Sequence, residues 1–464
     1  MTKTRLYFFF ACLLVGTVFS FSAARAQDGL SLDLQESLRL AYLNNPALRA
    51  ARSELLSTQE FLPQAQAGYK PLISSDLEIA RYDVEGSNFG GGGETTSKDV
   101  GVSLNQPLYR GGKTTAETEA ARLTIAAQKA ILHSREQEIL RNAATAYADV
   151  FRDEALLSLA LNNRDVISRQ LEAATQRFEV GELTRTDVSQ SRSRLAEAEA
   201  GIISARGNMR ASHALFEQVV GVMPSHLAKP YMRLKLPNNL ETALSVAEKQ
   251  SPRAIAADYV YRAAEEDVDG VWAELLPEVG FFTSWGRTYD PSPGLIDEQT
   301  TQAIGVSASI PLYQAGGVRS RVRQAKHDAN RRYLEILDVR RQVRREATAN
   351  WEDLQAARAE IRSRMSQVKS ASIAKEGVYA ETEFGARTVL DSLDADQELL
   401  DAKVALVSAQ RDEIAATFYL MATLGLLTPE DLGFLEDKKS FDDNLAKITK
   451  TIFNTDVDRV AKTD

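Results

Sequence analysis

The sequence predicts a mainly α-helical, internally duplicated chain in which long coiled-coil rods carry two pairs of short β-strands. Three observations predict it: an echo at a constant distance, two proline-free stretches of helical period, and four segments of alternating period. The echo joins Gln106–Gly112 (QPLYRGG) to Ile310–Gly317 (IPLYQAGG); Pro107 and Pro311, Tyr109 and Tyr313, and Gly112 and Gly316 are each 204 positions apart. The same offset links Gly181 to Gly385, Thr184 to Thr388, Asp187 to Asp391 and Gly221 to Gly425. Further upstream the offset is 206, from Asn45-Pro46 to Ser251-Pro252 and from Pro71 to Pro277. So long a period makes each copy a large supersecondary unit rather than a stacked module.

Residues 1–26 read as a signal peptide: Lys3 and Arg5, an apolar run from Leu6 to Phe21, then Ala24-Arg25-Ala26 at the cleavage site. The single cysteine, Cys12, lies inside that run, so the mature chain is expected to have no disulfide, thiolate nucleophile or acyl anchor. Loss of Lys3, Arg5 and Arg25 takes the formal charge from -9 to -12, since no acid lies in that segment. An exported acidic chain is a poor nucleic-acid binder.

Each copy then reads alike. Residues 27–70 open the first copy with helices; Pro46 suits a first turn, and Pro63 is expected to kink the helix. Residues 71–111 form a β-hairpin, in which Val100, Val102 and Leu104 alternate with Asp99, Gly101, Ser103 and Asn105. Residues 112–224 form rods with a break at Gly181. Residues 225–276 are a linker with the first helices of the second copy. Residues 277–315 form the second hairpin, where Ile304, Val306, Ala308 and Ile310 alternate with Gly305, Ser307 and Ser309. Residues 316–428 are the second pair of rods, broken at Gly385. The remainder, 429–464, is a polar tail.

The rods carry most of the pattern. From Val318 through Ala329, Tyr333, Val343 and Trp351 to Leu354, apolar positions recur at a helical average, with no proline between Pro311 and Pro429. A helix from Gly112 to about Val180 would be roughly 100 Å long. Beyond Gly385 a heptad seam runs through Leu393, Leu400, Val407, Ile414 and Met421. Alanines on its other faces allow a second neighbour, which describes a wall rather than a bundle.

Strands of about ten residues have the length of tilted membrane strands. Four cannot close a barrel, and an open edge is not viable in lipid, so several chains would have to pool them. Two soluble hairpins capping a rod are the alternative.

Asn45-Pro46, the paired QPLYRGG and IPLYQAGG, and the paired VGELTRTDV and FGARTVLDSLDA resemble the TolC-type outer-membrane efflux proteins. The resemblance runs from about Leu32 to Leu427. It implies a mainly α homotrimer whose chains share a 12-stranded transmembrane β-barrel in the outer membrane, continued by an α-helical coiled-coil tunnel across the periplasm. It implies a passive exit duct without cofactor or catalysis, working with a periplasmic adaptor and an inner-membrane transporter of ABC or RND type. Pro107, Gly112, Pro311 and Gly316 would then close the hairpins at the barrel rim and swivel the chain into the tunnel. Arg387, Asp391 and Asp394 would form the constricted periplasmic entrance, with Asp187 helping to tie it shut. The tyrosine found in the family five residues before the arginine is Thr382 here, which puts one closing hydrogen bond in question. The turns at Gly181-Glu182 and Gly385-Ala386 would be the adaptor-docking tips.

Asp391 and Asp394 are three apart, hence on one helix face, and in a trimer they would make a ring of carboxylates that favours cations. No catalytic constellation accompanies them. His133, His213, His226 and His327 match no metal-ligand spacing, and GGKTT from Gly111 lacks the first glycine of a phosphate loop. The arginines from Arg319 to Arg345 are interleaved with Glu335 and Asp338, which reads as a solvated face. The competing functions are a periplasmic adaptor, which would need compact β-domains beside one hairpin, and a coiled-coil scaffold, which leaves the strands unexplained.

Overall fold

The computed structural model describes residues 32–84, 93–225, 227–230, 232, 234–292, 296–433, 445 and 448. The expected signal peptide, the glycines at 90–92, His226 and most of the polar tail lie outside these residues. The duplication is visible in the elements. Helices α1 (Leu34–Asn44) and α2 (Pro46–Gln59), with the short α3 (Phe61–Gln66), lead to strands β1 (Leu72–Val84) and β2 (Gly93–Arg110). The rods α4 (Lys113–Glu179) and α5 (Arg185–Val220) follow. The second copy repeats the order with α6 (Leu240–Gln250), α7 (Pro252–Trp272), β3 (Glu278–Ser292), β4 (Ile296–Ser309), α8 (Gly317–Glu383) and α9 (Val389–Leu424). Both long rods have 67 residues and both shorter ones 36.

Local chemistry sets these boundaries. Asn45 caps α2, its side-chain oxygen accepting from the amides of Ala47 (2.9 Å) and Leu48 (3.4 Å), with Pro46 in the first turn. The Asn45 side-chain amide donates to the Val219 carbonyl at 3.0 Å, which ties α2 to α5. Helix α2 ends at Gln59 where its counterpart α7 runs on, because Pro63 has no N–H to donate to the carbonyl four residues back and crowds it. Gly112 (φ 90°) and Gly316 (φ 78°) each stand in the left-handed region where strand gives way to rod.

The main core lies at mid-length, where α1, α2 and α3 wrap α4, α5 and α9. Leu38, Leu48, Leu55, Leu140 and Phe216 are completely buried there, and each such side chain contributes about 1.5–3 kcal/mol. The buried Tyr147 hydroxyl donates to the carbonyls of Ala228 (2.6 Å) and Leu32 (2.9 Å). A second cluster, with Val343, Leu354, Leu420 and Leu424, serves the other copy.

The four strands make one antiparallel sheet in the order β1-β2-β3-β4. They have 13, 18, 15 and 14 residues, longer than the ten or so expected from alternation. The register puts Ile73, Leu104, Thr283 and Ile304 in line across one face, and Leu77, Val100 and Arg287 in another row of it. Phe281 pairs with Val306 on this face, and Val102 with Trp285. The opposite face carries Ser74, Ser103, Asp99 and Thr288: the Ser74 and Ser103 hydroxyls meet at 2.8 Å, and Thr288 bonds to Asp99. One face is largely apolar and the other polar. Among the described residues, the outer edges of β1 and β4 have no strand beside them.

The expectation that Pro-Leu-Tyr closes both hairpins alike needs correction. In the first copy Pro107 and Tyr109 lie inside β2, which bulges between them and stays paired with β3 through Arg110. In the second copy β4 ends at Ser309 and Tyr313 is 88% exposed. The reason is pairing: β2 has a neighbour on each side, whereas β4 has one.

Candidate functional site

Two regions bear on function: the sheet at one end of the rods and the hairpin tips at the other. No helix among the described residues is long and apolar enough to cross a membrane.

The tips are twins. At the end of α4 the amide of Glu182 donates to the Arg177 carbonyl (2.8 Å) and that of Gly181 to Phe178 (3.0 Å). At the end of α8, Ala386 donates to Glu381 (2.9 Å) and Gly385 to Thr382 (3.1 Å). Both turns use a glycine in the left-handed region, Gly181 at φ 85° and Gly385 at φ 75°. The next helix starts in each case from a threonine in a reciprocal cap. Asp187 Oδ2 accepts from the Thr184 amide (2.9 Å) and hydroxyl (2.7 Å); Asp391 Oδ2 accepts from the Thr388 amide (2.8 Å) and hydroxyl (2.7 Å). These bonds hold the Asp391 carboxyl below the usual aspartate value.

The expected entrance residues thus have local partners within one chain. Arg387 pairs with Glu381 of its own hairpin at 3.0 Å rather than with Asp187. Asp394 pairs with Arg194 of α5 at 2.7 Å. Thr382, in the tyrosine's place, joins α8 to α9 through the Ser392 hydroxyl at 2.9 Å. Two exposed apolar side chains, Val180 (73%) and Phe384 (87%), crown the twin turns.

A polar cluster about two turns from the tip was not foreseen. The buried Asp396 carboxylate of α9 meets Lys375 Nζ (2.6 Å) and accepts from the Tyr379 hydroxyl (2.5 Å), both on α8, and from Gln170 Nε2 of α4 (2.5 Å). Gln170 also bonds to the Tyr379 hydroxyl. Burial and the neighbouring carboxylate push the Tyr379 hydroxyl well above its ordinary value. The cluster joins the two rod pairs close to their tips. A further tie between them is Arg411 Nε to Asp149 at 2.7 Å.

Of the histidines, His133 pairs with Glu136 at 2.8 Å and His213 with Glu154 at 3.2 Å. Among the described residues no group of three or more His, Cys, Asp or Glu is arranged to hold a metal ion.

A sheet with one apolar and one polar face, set at one end of rods of about 100 Å that end in capped hairpins, defines a channel protein of the bacterial outer membrane. The chain belongs to the outer membrane efflux protein family, whose profile matches residues 37–222 and 243–426, one match for each copy. It is similar to the outer membrane efflux protein BepC of Brucella suis, at 31% identity over 91% of both chains. It is also similar to the outer membrane protein TolC of Escherichia coli, at 24% identity over 88% of this chain and 85% of that one. The solved CmeC outer membrane channel of Campylobacter jejuni shares the fold, with a TM-score of 0.76 at 14% identity over 96% of this chain and 98% of that one. The protein is an outer-membrane exit duct of an export system that extends into the periplasm, and nothing in these matches supports the adaptor or scaffold readings.

Proposed function

We propose that three copies pool their sheets into one barrel of twelve strands and their rods into one tunnel, through which cargo passes without energy supplied by this chain. The observation that carries it is the two-faced, four-stranded sheet with open outer edges. An open edge cannot remain in hydrocarbon, and four strands cannot close on themselves. The apolar face meets lipid and the polar face lines the lumen. Gly112 and Gly316, with Pro107 and Pro311 just before them, turn strand into tunnel wall.

The tips face the inner membrane and dock a periplasmic adaptor, which brings an inner-membrane transporter of ABC or RND type. Val180 and Phe384, exposed beside Gly181-Glu182 and Gly385-Ala386, supply the apolar contacts such docking needs. Arg387, Asp391 and Asp394 of three copies surround the entrance and favour cations there. The closed state is held by Asp394 with Arg194 and by the Asp396 cluster, which join the two hairpins, while Arg387 with Glu381 fixes the shape of the tip. Asp187 supports this by capping α5.

Reconstitution in planar bilayers tests the reading. The purified protein gives small closed-state conductance steps, and Arg387→Ala enlarges them while the trimer persists. Asp391→Ala with Asp394→Ala lowers cation selectivity. A protein that never conducts, with or without these changes, contradicts the reading. Cysteines at Glu182 or Ala386 crosslink to an adaptor in cells; capture only from Lys113 contradicts the orientation.

A further inference from the structure

The groove between α2, α4 and α5 is the unfinished copy of a groove completed elsewhere in the same chain. A cavity of about 250 Å³ lies where α4 meets the second copy. Pro252 of α7, Val343 and Glu346 of α8, and Ala422 and Thr423 of α9 form three of its walls. Ser134, Gln137, Glu138 and Arg141 of α4 form the fourth. Moved back by the repeat offsets, the three walls become Pro46, Ile139, Asn142, Gln218 and Val219. All five line one other cavity, of about 670 Å³. Among the described residues that line it, none comes from a segment in the position of the fourth wall. Moved forward by the offset, the missing wall is Asp338, Arg341, Gln342 and Arg345 of α8. Within one chain α8 packs on α6, α7 and α9, at the other edge of the wall.

We propose that this groove seats the Asp338–Arg345 segment of α8 from a neighbouring copy of the chain, with Arg341 as its central peg. The proposal rests on the shared-barrel reading and adds which surfaces meet. Arg341 takes the place of Gln137, whose side-chain amide donates to the Leu427 carbonyl and whose oxygen accepts from the Leu427 amide, both at 2.9 Å. The counterpart of Leu427 is Met223, which is 59% exposed in the single chain. A guanidinium donates and does not accept, so Arg341 meets the Met223 carbonyl. Glu54 lines the groove and offers the incoming arginines an acid.

Charge nearer the sheet supports the same pairing independently. Inside the chain Glu119 of α4 lies close to Glu266 of α7; burial first, then Asp269, Glu119 and Glu265, raise the Glu266 carboxyl. The counterparts at the joint between copies are Arg323 and Glu60, which are opposite in sign and both exposed. The inner joint therefore brings like charges together and the outer joint opposite ones. Glu119 in the place of Arg323 would repel Glu60, so the charge on α8 rather than that on α4 suits a neighbour's α2.

The test uses the full chain with Arg341→Cys and Met223→Cys, in which Cys12 is the only other cysteine. A bis-maleimide added to outer-membrane fractions gives covalent dimers and trimers from the double variant and from neither single one. Gln137→Cys with Leu427→Cys is the control, linking within a chain without change of mass. In a second arm, Arg323→Glu and Glu60→Arg each lower the yield of trimer several-fold, and together they restore it. A trimer that forms normally yet gives neither the crosslink nor the rescue overturns this contact and leaves the channel reading standing. A chain that stays monomeric in detergent overturns both.

Discussion

The two copies of the duplication agree in length and differ in what covers them. Along α4, Leu123, Leu132, Leu140, Tyr147 and Val150 are buried by helices of the same chain. Along α8, Tyr333, Leu334, Met365 and Ile373 are exposed. Ala130 is 6% exposed and its counterpart Leu334 is 55% exposed. Tyr109 sits in a paired strand, while Tyr313 sits past the end of one. Ile336 and Leu354 of α8 are buried like their counterparts Leu132 and Val150, so the second copy is covered in part and left open at Tyr333, Leu334, Met365 and Ile373. The proposed trimer accounts for the difference, since a neighbouring chain would cover the apolar side chains that α8 leaves exposed.

The largest expected effects lie where the copies are alike. Phe216 and its counterpart Leu420 are both fully buried in the chain's own core. Phe216→Ala costs about 3–5 kcal/mol and Leu420→Ala about 2–5 kcal/mol. Thermal unfolding followed by circular dichroism shows both as lowered midpoints; a neutral result for either breaks the equivalence of the two cores.

Next comes the sheet, where the copies also match. Val102 and Val306 lie on the apolar face, Ser103 and Ser307 on the polar one. Val306→Arg or Val102→Arg costs about 2–4 kcal/mol near the midplane of the bilayer. Ser307→Arg and Ser103→Arg are tolerated. The yield of heat-resistant trimer reads the contrast, and equal losses on the two faces remove the barrel assignment.

Smaller still is the Asp396 cluster, which has no twin: the first-copy counterpart of Asp396 is Arg192. Asp396→Asn removes the charge that Lys375 meets and weakens the bonds from Tyr379 and Gln170, a local loss of about 1–3 kcal/mol. The rods remain folded and the tips loosen, so conductance in planar bilayers rises. Unchanged conductance places the closing contacts elsewhere.

The smallest effect concerns the paired caps. Because hydrogen bonds from Thr388 depress the Asp391 carboxyl below the ordinary aspartate value, the cap's contribution is complete above that ordinary value. It is lost as the pH falls through the folded-state value. Hydrogen–deuterium exchange at the Thr388–Asp391 turn is expected to keep its protection from neutral pH down to about 4 and to lose it only in stronger acid. Loss of protection near neutral pH contradicts the cap.

Much of this was legible in the sequence because the duplication repeats every landmark. Two glycines, two threonines and two aspartates at one offset mark both tips, and alternation around Val102 and Val306 marks the sheet. What was not legible depends on contacts between distant segments. Gln170, Tyr379 and Asp396 come from three helices and share no spacing. The true partner of Arg387, Glu381, lies six residues back across a turn rather than at a helical interval. Tyr109 and Tyr313 look alike, and only strand pairing separates them. Val180 and Phe384 fell into apolar and turn patterns that gave no hint of their exposure.

On the proposed reading, the chain completes its barrel and tunnel only with two further copies. Native mass spectrometry of the detergent-extracted protein tests it most directly. A single species of three chains is expected, each contributing four strands to one barrel. A stable, folded single chain, or a closed assembly of any other number, would contradict it.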